Sequence, residues 1–542
     1  MSDTRFGEIH EVDERQLQLL MKDWRRGRAT RTMWQAMSDA YVAIFSIAVI
    51  GAMIIGAIVQ AQRAVAICST EACLAGRGLL PWAALAGAFA FTLAASLMFG
   101  PVLASSAEGF WLMDAPLGRR RLLSKRLWLA IVASLLLGAG FGALVSALTG
   151  SSGWAVLGWA LGTGLGASGL VAVAAVEQTA ERRWVLRTLQ WITGLAGVAA
   201  LAVVVGTAAG WFSVPGLVAL GAELSRIVAG VGVLLTVVAA AVAYRRLNRI
   251  RRQRLTSGGS LLSGMQGAMF ALDFGLVRDI LVERQASLKG HVKATRGVGH
   301  GLSALIWRDV QRLIRYPRPL LLLVASVIVP YAIAALGLAV VNPTISAFVL
   351  MVALIPFMNS LRVLTRTKGL QRCLPFKVGQ IRTAAMVVPA ILAVVWSAAV
   401  VPAFLGLGTG VAHLDLPTAI TYAVITGLAG LLAAVRWVSA APANYSAPMV
   451  ATGAGAMPPG LMFNMFRGFD IVALVTLPLV LGWSPWVSII IALIAFSMLR
   501  SGLNQEALMD QQAEQKRQLE EAKAAARGEG PKKDKIRVQR GR

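Results

Sequence analysis

Reactive side chains are sparse in this chain, and their densest grouping is cationic. The stretch DAPLGRRRLLSKR (114–126) sets Arg119, Arg120, Arg121, Lys125 and Arg126 between two long apolar runs. Guanidinium and ammonium groups at that density bind phosphates or carboxylates through charge-assisted hydrogen bonds, and they carry out no covalent chemistry by themselves. Groups that would do so are not arranged for it. His10, His291, His300 and His413 are scattered, with no H-E-x-x-H pattern, no Ser/His/Asp grouping and no acidic pair within an apolar run. The chain also lacks the G-x-x-x-x-G-K-S/T loop that cradles nucleotide phosphates. The expectation is a non-enzyme with no cofactor or metal of its own.

Three cysteines occur. Cys68 and Cys73 frame CSTEAC in what reads as a short polar outer loop, where they form either a disulfide or two unpaired thiols. Cys373 reads as a reduced thiol on the inner side, and no metal-ligand spacing is present.

The elements that must position these groups are apolar. The chain is 57% hydrophobic and 14% charged, against about 25% charged residues in a soluble globular protein. Its net charge of +26 comes from Lys and Arg clustered between apolar runs, as the positive-inside bias predicts. That distribution points to anionic lipid headgroups rather than nucleic acid. Apolar runs fall near 37–60, 81–113, 127–149, 154–177, 188–212 and 224–244. Six more lie near 319–341, 345–366, 383–408, 417–437, 469–483 and 485–499. The fold expected is an all-α polytopic membrane protein of about twelve transmembrane helices. Span parity and the basic loops put both termini in the cytoplasm, with the plasma membrane as location. The second run is too long for one straight crossing, so Gly100–Pro101 is expected to kink it or to let it run on into the cytoplasm.

The same reading divides the chain into five parts. Residues 1–36 form a cytoplasmic N-terminus ending in RQLQLLMKDWRRGRATRTMWQ, which is either an interfacial amphipathic helix or the basic flank of the first span. Residues 37–250 form a first six-helix half, 251–301 a cytoplasmic linker, and 302–503 a second half with its own lead-in helix. Residues 504–542 form a charged cytoplasmic tail. Ser439–Arg467, rich in Pro, Gly, Ala and Met, is either a re-entrant element or a loop.

The halves read as copies. LLMKDWRR (19–26) and LIWRDVQR (305–312) precede the first and seventh runs, aligning Asp23 with Asp309. Pro116 and Pro375 each sit in a basic loop after the second run of a half, at an offset of 375 − 116 = 259. The same offset carries Glu177 onto Arg436. An even number of spans per half makes the copies parallel, related by an axis along the membrane normal, with a path between them. Glu177 and Arg436 either pair across that interface or each snorkel to the lipid surface.

A basic amphipathic helix entering the first span, the loop APLGRRRLLSKR after the second, and six spans per half together resemble the permease subunits of ABC transporters of the ABC-2 class. That resemblance implies an ATP-driven permease, an exporter, served by a separate ATPase subunit that binds ATP and magnesium. It implies that Asp23, Arg25, Asp114, Pro116, Arg119, Arg120 and Arg121 couple to the ATPase in the first half. Arg308, Asp309, Arg312, Pro375, Lys377 and Arg382 would do so in the second. The bland reading of the same arginines is that they anchor loops to lipid phosphates. Two rivals share the sequence evidence: a secondary carrier of the major facilitator type, and a non-transporting membrane scaffold. GFWLMDAPLGRRR (109–121) resembles the facilitator loop motif only faintly. The scarcity of ionisable groups within the runs argues against ion-driven transport.

Overall fold

A computed structural model describes the chain from Glu71 to Ser501, except residues 112–118, 181–182, 209–211, 213, 271–272, 292–295, 336–337, 407–413, 441–449, 453–454 and 458–465, together with isolated positions from 19 to 63. The described chain is helical apart from one small ribbon. In the first half, α1 (Glu71–Met98), α2 (Ser106–Trp111), α3 (Arg119–Leu148), α4 (Gly153–Gln178), α5 (Trp184–Ala208) and α6 (Pro215–Arg246) follow one another. Then come α7 (Arg252–Phe270) and α8 (Phe274–Lys289). The second half opens with α9 (Leu302–Arg315), α10 (Arg318–Ser326), α11 (Ile328–Ala335), α12 (Asn342–Leu354) and α13 (Asn359–Arg366). It closes with α14 (Lys368–Arg372), α15 (Val378–Phe404), α16 (Leu416–Val438), α17 (Phe469–Val480) and α18 (Pro485–Ser501).

Eight of these helical segments are long and apolar enough to cross a membrane, and a ninth counts if the bent α9–α10–α11 unit is one span. The expected count of twelve is therefore not reached among the described residues. Spans of about 20 residues are needed for a bilayer, and α17 and α18 have 12 and 17. Of the first run, 37–60, ten residues between Phe45 and Val59 are described, all of them helical. The seventh is broken because Pro317 ends the lead-in helix. A proline has no amide to continue the ladder and forces its predecessor out of helical geometry. The chain turns by 88° there.

Each half is built around its fourth span. In α4 67% of the most apolar window is buried and in α16 61%, the highest values among the candidate spans. Small residues make this possible, because lipid gives apolar side chains no reason to leave it and close packing must hold the helices together. Gly138 of α3 faces Gly164 and Ala167 of α4, while Ser397 of α15 faces Gly427 of α16. Leu350, Leu354, Trp396, Ala429 and Val435 lie in the core of the second half, where the Trp396 indole donates to Ser326 Oγ at 3.0 Å. A smaller cluster of Leu79, Leu80, Val204 and Ala332 joins the two halves.

Two local expectations change. The stretch from Glu71 is helical rather than a polar loop, so Cys73 stands in the first turn of α1. Cys68 lies outside the described residues, and with it the proposed bond to Cys73. In Ser439–Arg467 the described residues include a ribbon of β1 (Val450–Thr452) and β2 (Gly455–Met457), paired antiparallel with Ala451 opposite Ala456. The lead-in helix before the first span and the tail 504–542 lie outside the described residues, apart from helical Leu19.

Candidate functional site

Most of the described arginines gather at one end of the helices, where the chain turns back from α1, α4 and α6 in the first half and from α13 in the second. The first-half turn is stitched by polar side chains. Gly100, just beyond the end of α1, takes φ +86°, a conformation that suits glycine. The Gln178 amide then donates to Val102 O at 2.9 Å and accepts from Val102 N at 3.1 Å. Arg126 pairs with Glu108 at 2.5 Å and also donates to Leu103 O. Burial raises the Glu108 carboxyl pKa, but the Arg126 and Ser105 bonds outweigh it and hold the group below the usual carboxylate range.

The segment expected as a cytoplasmic linker holds two helices, each fastened to one half. On α7, Gly258 and Gly259 press against backbone. A methyl group at either would stand 1.9 Å from Phe99 O or Ala104 O. Ala104 N donates to Leu255 O at 3.1 Å, and Arg254 reaches the carbonyls of Gln178 and Ala180. On α8, Asp279 receives both Nε and Nη2 of the buried Arg362, with Arg366 at 3.6 Å. Arg278 donates to Ile355 O at 3.2 Å and to Asn359 Oδ1. The guanidinium groups of Arg278 and Arg362 each lie 5.9 Å from the Trp437 ring. Burial, reinforced by nearby Arg362, lowers the Arg278 pKa to about 10. A bidentate arginine–carboxylate pair of this kind fixes orientation as well as distance.

The residues singled out in the sequence are distributed between structural duty and exposure. Asp23, Arg25, Asp114 and Pro116 lie outside the described residues, and Arg121 is in the first turn of α3. Arg120 belongs to the fold: it donates to Arg245 O at 3.1 Å and lies 5.4 Å from the Tyr244 ring. Arg382 likewise bonds Leu499 O at 2.9 Å, tying α15 to α18. Asp309 is turned inward and only 5% exposed, accepting from Ser360 Oγ, with Arg312 at 3.4 Å. These positions brace the helices. Arg119 is half-buried, while Arg308, Pro375 and Lys377 are exposed.

Glu177 and Arg436 do not pair with each other. The Glu177 carboxylate accepts the amides of Val185 at 3.0 Å and Leu186 at 2.8 Å, capping the start of α5. Arg436 pairs with Asp470 at 2.5 Å, joining α16 to α17. The physical reason is local supply: each group finds a partner in its own half, and no pairing across the interface is needed. Asp470 and Arg362 were missed because each sits at the edge of an apolar run, where a charge reads as a flank. Cys373 is a free, exposed thiol.

Asp309 yields a pH prediction. Burial raises its pKa above the ordinary carboxylate value, against the opposing effects of Ser360 and Arg312. Its folded state therefore holds a proton that the unfolded chain releases, so its contribution to stability falls as pH rises through that window. Asp309→Asn should flatten this slope and leave the protein at least as stable near neutral pH, as read from melting in detergent across pH 4 to 8. An unchanged slope would remove Asp309 from the account.

In the second half the lead-in helix α9 and the loop after α14 share this surface. A side-chain carbon at Gly301, which caps α9, would lie 3.8 Å from the Phe376 ring, and α9 packs on α15. A family model described as a family of unknown function (DUF6297) matches residues 73–448, from the start of α1 to beyond α16. No curated protein matches the chain. No solved structure matches it either.

Proposed function

The chain belongs to the DUF6297 family, whose function is unassigned, and we propose that it is the membrane-spanning permease subunit of an ATP-driven exporter. In this reading a separate ABC-type ATPase subunit binds ATP and magnesium and docks on the arginine-rich end. That end faces the cytoplasm, the bilayer is the plasma membrane, and both termini lie inside. The two six-helix halves would rock about an axis along the membrane normal, with cargo crossing between them.

The observation that carries the reading is the joint placement of a lead-in helix and a basic inter-span loop on one surface of the second half. A partner resting on α9 and on the Pro375–Lys377 turn would push on α10 and α15 together, because rigid backbone connects each contact to a span. The sparse ionisable groups inside the spans favour an external energy source over ion coupling. Exposed Arg308 and Lys377, with Arg119 of the first half, are the docking cations that remain after the bracing residues are set aside.

The test is a mild-detergent pull-down of the full chain from its host, with mass spectrometry and an ATPase assay. A nucleotide-binding subunit should co-purify stoichiometrically. In the Arg119→Glu/Arg308→Glu/Lys377→Glu variant its recovery should fall at least about tenfold, since exposed pairs add up only as a group and like charges repel. A chain that purifies alone, without ATPase activity, would replace this reading with the secondary carrier.

A further inference from the structure

A cleft of about 1710 Å³ lies between the halves. Its walls are α5 and α10, with α1 behind, and α7 and α8 cover it at the arginine-rich end. Polar and apolar groups are sorted along its depth. Arg183, Arg187, Arg254, Arg284 and Arg318 line the covered end, and Glu283 is the one acidic residue among the described lining. Beyond them the wall becomes Trp191, Leu195 and Val198 on one side and Leu321 and Leu322 on the other. Trp191 is 49% exposed and Leu195 62%. The spacing 184, 187, 191, 195, 198 follows one face of α5, so a single helix face runs from cation to hydrocarbon. At about 1.5 Å per residue that face is roughly 21 Å long, more than half of a hydrocarbon core of about 30 Å.

The arginines crowd one another. Burial lowers the Arg183 pKa, and the positive charges of Arg254, Arg284 and Arg187 lower it further, against Glu177. Arg284 also carries a buried Nη1 with no hydrogen-bond partner. An anion in the cleft would relieve the repulsion among these guanidinium groups.

We infer that this cleft binds an anionic phospholipid-like amphiphile, its phosphate among Arg187, Arg284 and Arg318 and its acyl chains along Trp191, Leu195 and Leu321. The volume agrees with that occupant, since small-ligand pockets hold only about 300–1,000 Å³. Binding stands on the cleft alone; that the bound amphiphile is cargo rests on the permease reading above.

The experiment uses the full chain in nanodiscs of phosphatidylcholine. Phosphatidylglycerol or phosphatidylcholine carrying brominated acyl chains is added, and tryptophan fluorescence is followed. The signal of interest is the quenching lost in Trp184→Phe/Trp191→Phe. Brominated phosphatidylglycerol should quench these two tryptophans at about tenfold lower mole fraction than brominated phosphatidylcholine, because clustered arginines attract an anionic headgroup. Arg187→Gln/Arg284→Gln should abolish that preference without lowering the melting temperature. Equal quenching by both lipids, a preference that survives the double arginine variant, or displacement by millimolar inorganic phosphate would each overturn the inference. Selective quenching with no co-purifying ATPase would leave the lipid site standing and remove the permease reading. A recovered ATPase with equal quenching would do the reverse.

Discussion

Gly259→Val should lift α7 from the first half and lower the melting temperature more than any other single change in the covering helices. The side chain would be driven into Ala104 O, which a methyl carbon at that position would approach to 1.9 Å. The obstacle is backbone, so no rotamer change can relieve it. Overpacking costs about 1–3 kcal/mol where side chains can adjust, and the upper end applies here. The same displacement would break the 3.1 Å bond from Ala104 N to Leu255 O and expose Leu255, which is fully buried. Amide exchange in 252–270 should accelerate strongly, with exchange in α15 and α16 unchanged. Protection equal to that of the parent chain would show that α7 does not seat on residues 99–104.

The second large effect is expected at Arg362→Met. This change removes the bidentate partner of Asp279 and the cation beside Trp437, while keeping a similar apolar volume. Truncating one member of a buried ion pair costs roughly 3–5 kcal/mol. Asp279 is 36% exposed, so solvent screening reduces this to about 2–3 kcal/mol. Arg362→Met/Asp279→Leu should recover most of the loss, because a matched apolar pair carries no stranded charge. Arg362→Lys should fall between, since an ammonium cannot reproduce the two-pronged geometry. Melting temperatures of the parent, Arg362→Met, Asp279→Leu and the double variant, compared as a double-mutant cycle, decide it. Additive losses in the double variant would mean that the two side chains act independently.

Helix positions were legible in the sequence because lipid leaves a backbone little choice. Apolar runs at 154–177, 383–408 and 417–437 became Gly153–Gln178, Val378–Phe404 and Leu416–Val438. The kink at Gly100–Pro101 was legible for the same reason, since it is written in backbone chemistry. The covering helices were not. Gly258 and Gly259 read as chain breakers when only their neighbours are considered, whereas they are small because Phe99 and Ala104 lie against them from about 150 positions away. Nor could spacing reveal that Asp309 and Arg382 face inward. A charge near the end of an apolar run satisfies the positive-inside pattern and a buried bond equally well, and only the packing partner, Ser360 or Leu499, separates the two.

The fastening of α7 to one half and α8 to the other makes this pair a caliper. Gly264 of one arm lies against Ile280 of the other, and the arms meet near Asp273, whose carboxylate caps α8 through Leu276 N at 3.1 Å. A change in the angle between the halves must therefore appear as a change in the gap between the arms. Spin labels on exposed Ser260 and Glu283 would read that gap directly. The jaws would report the motion of the whole molecule from its surface, with no probe placed in the bilayer.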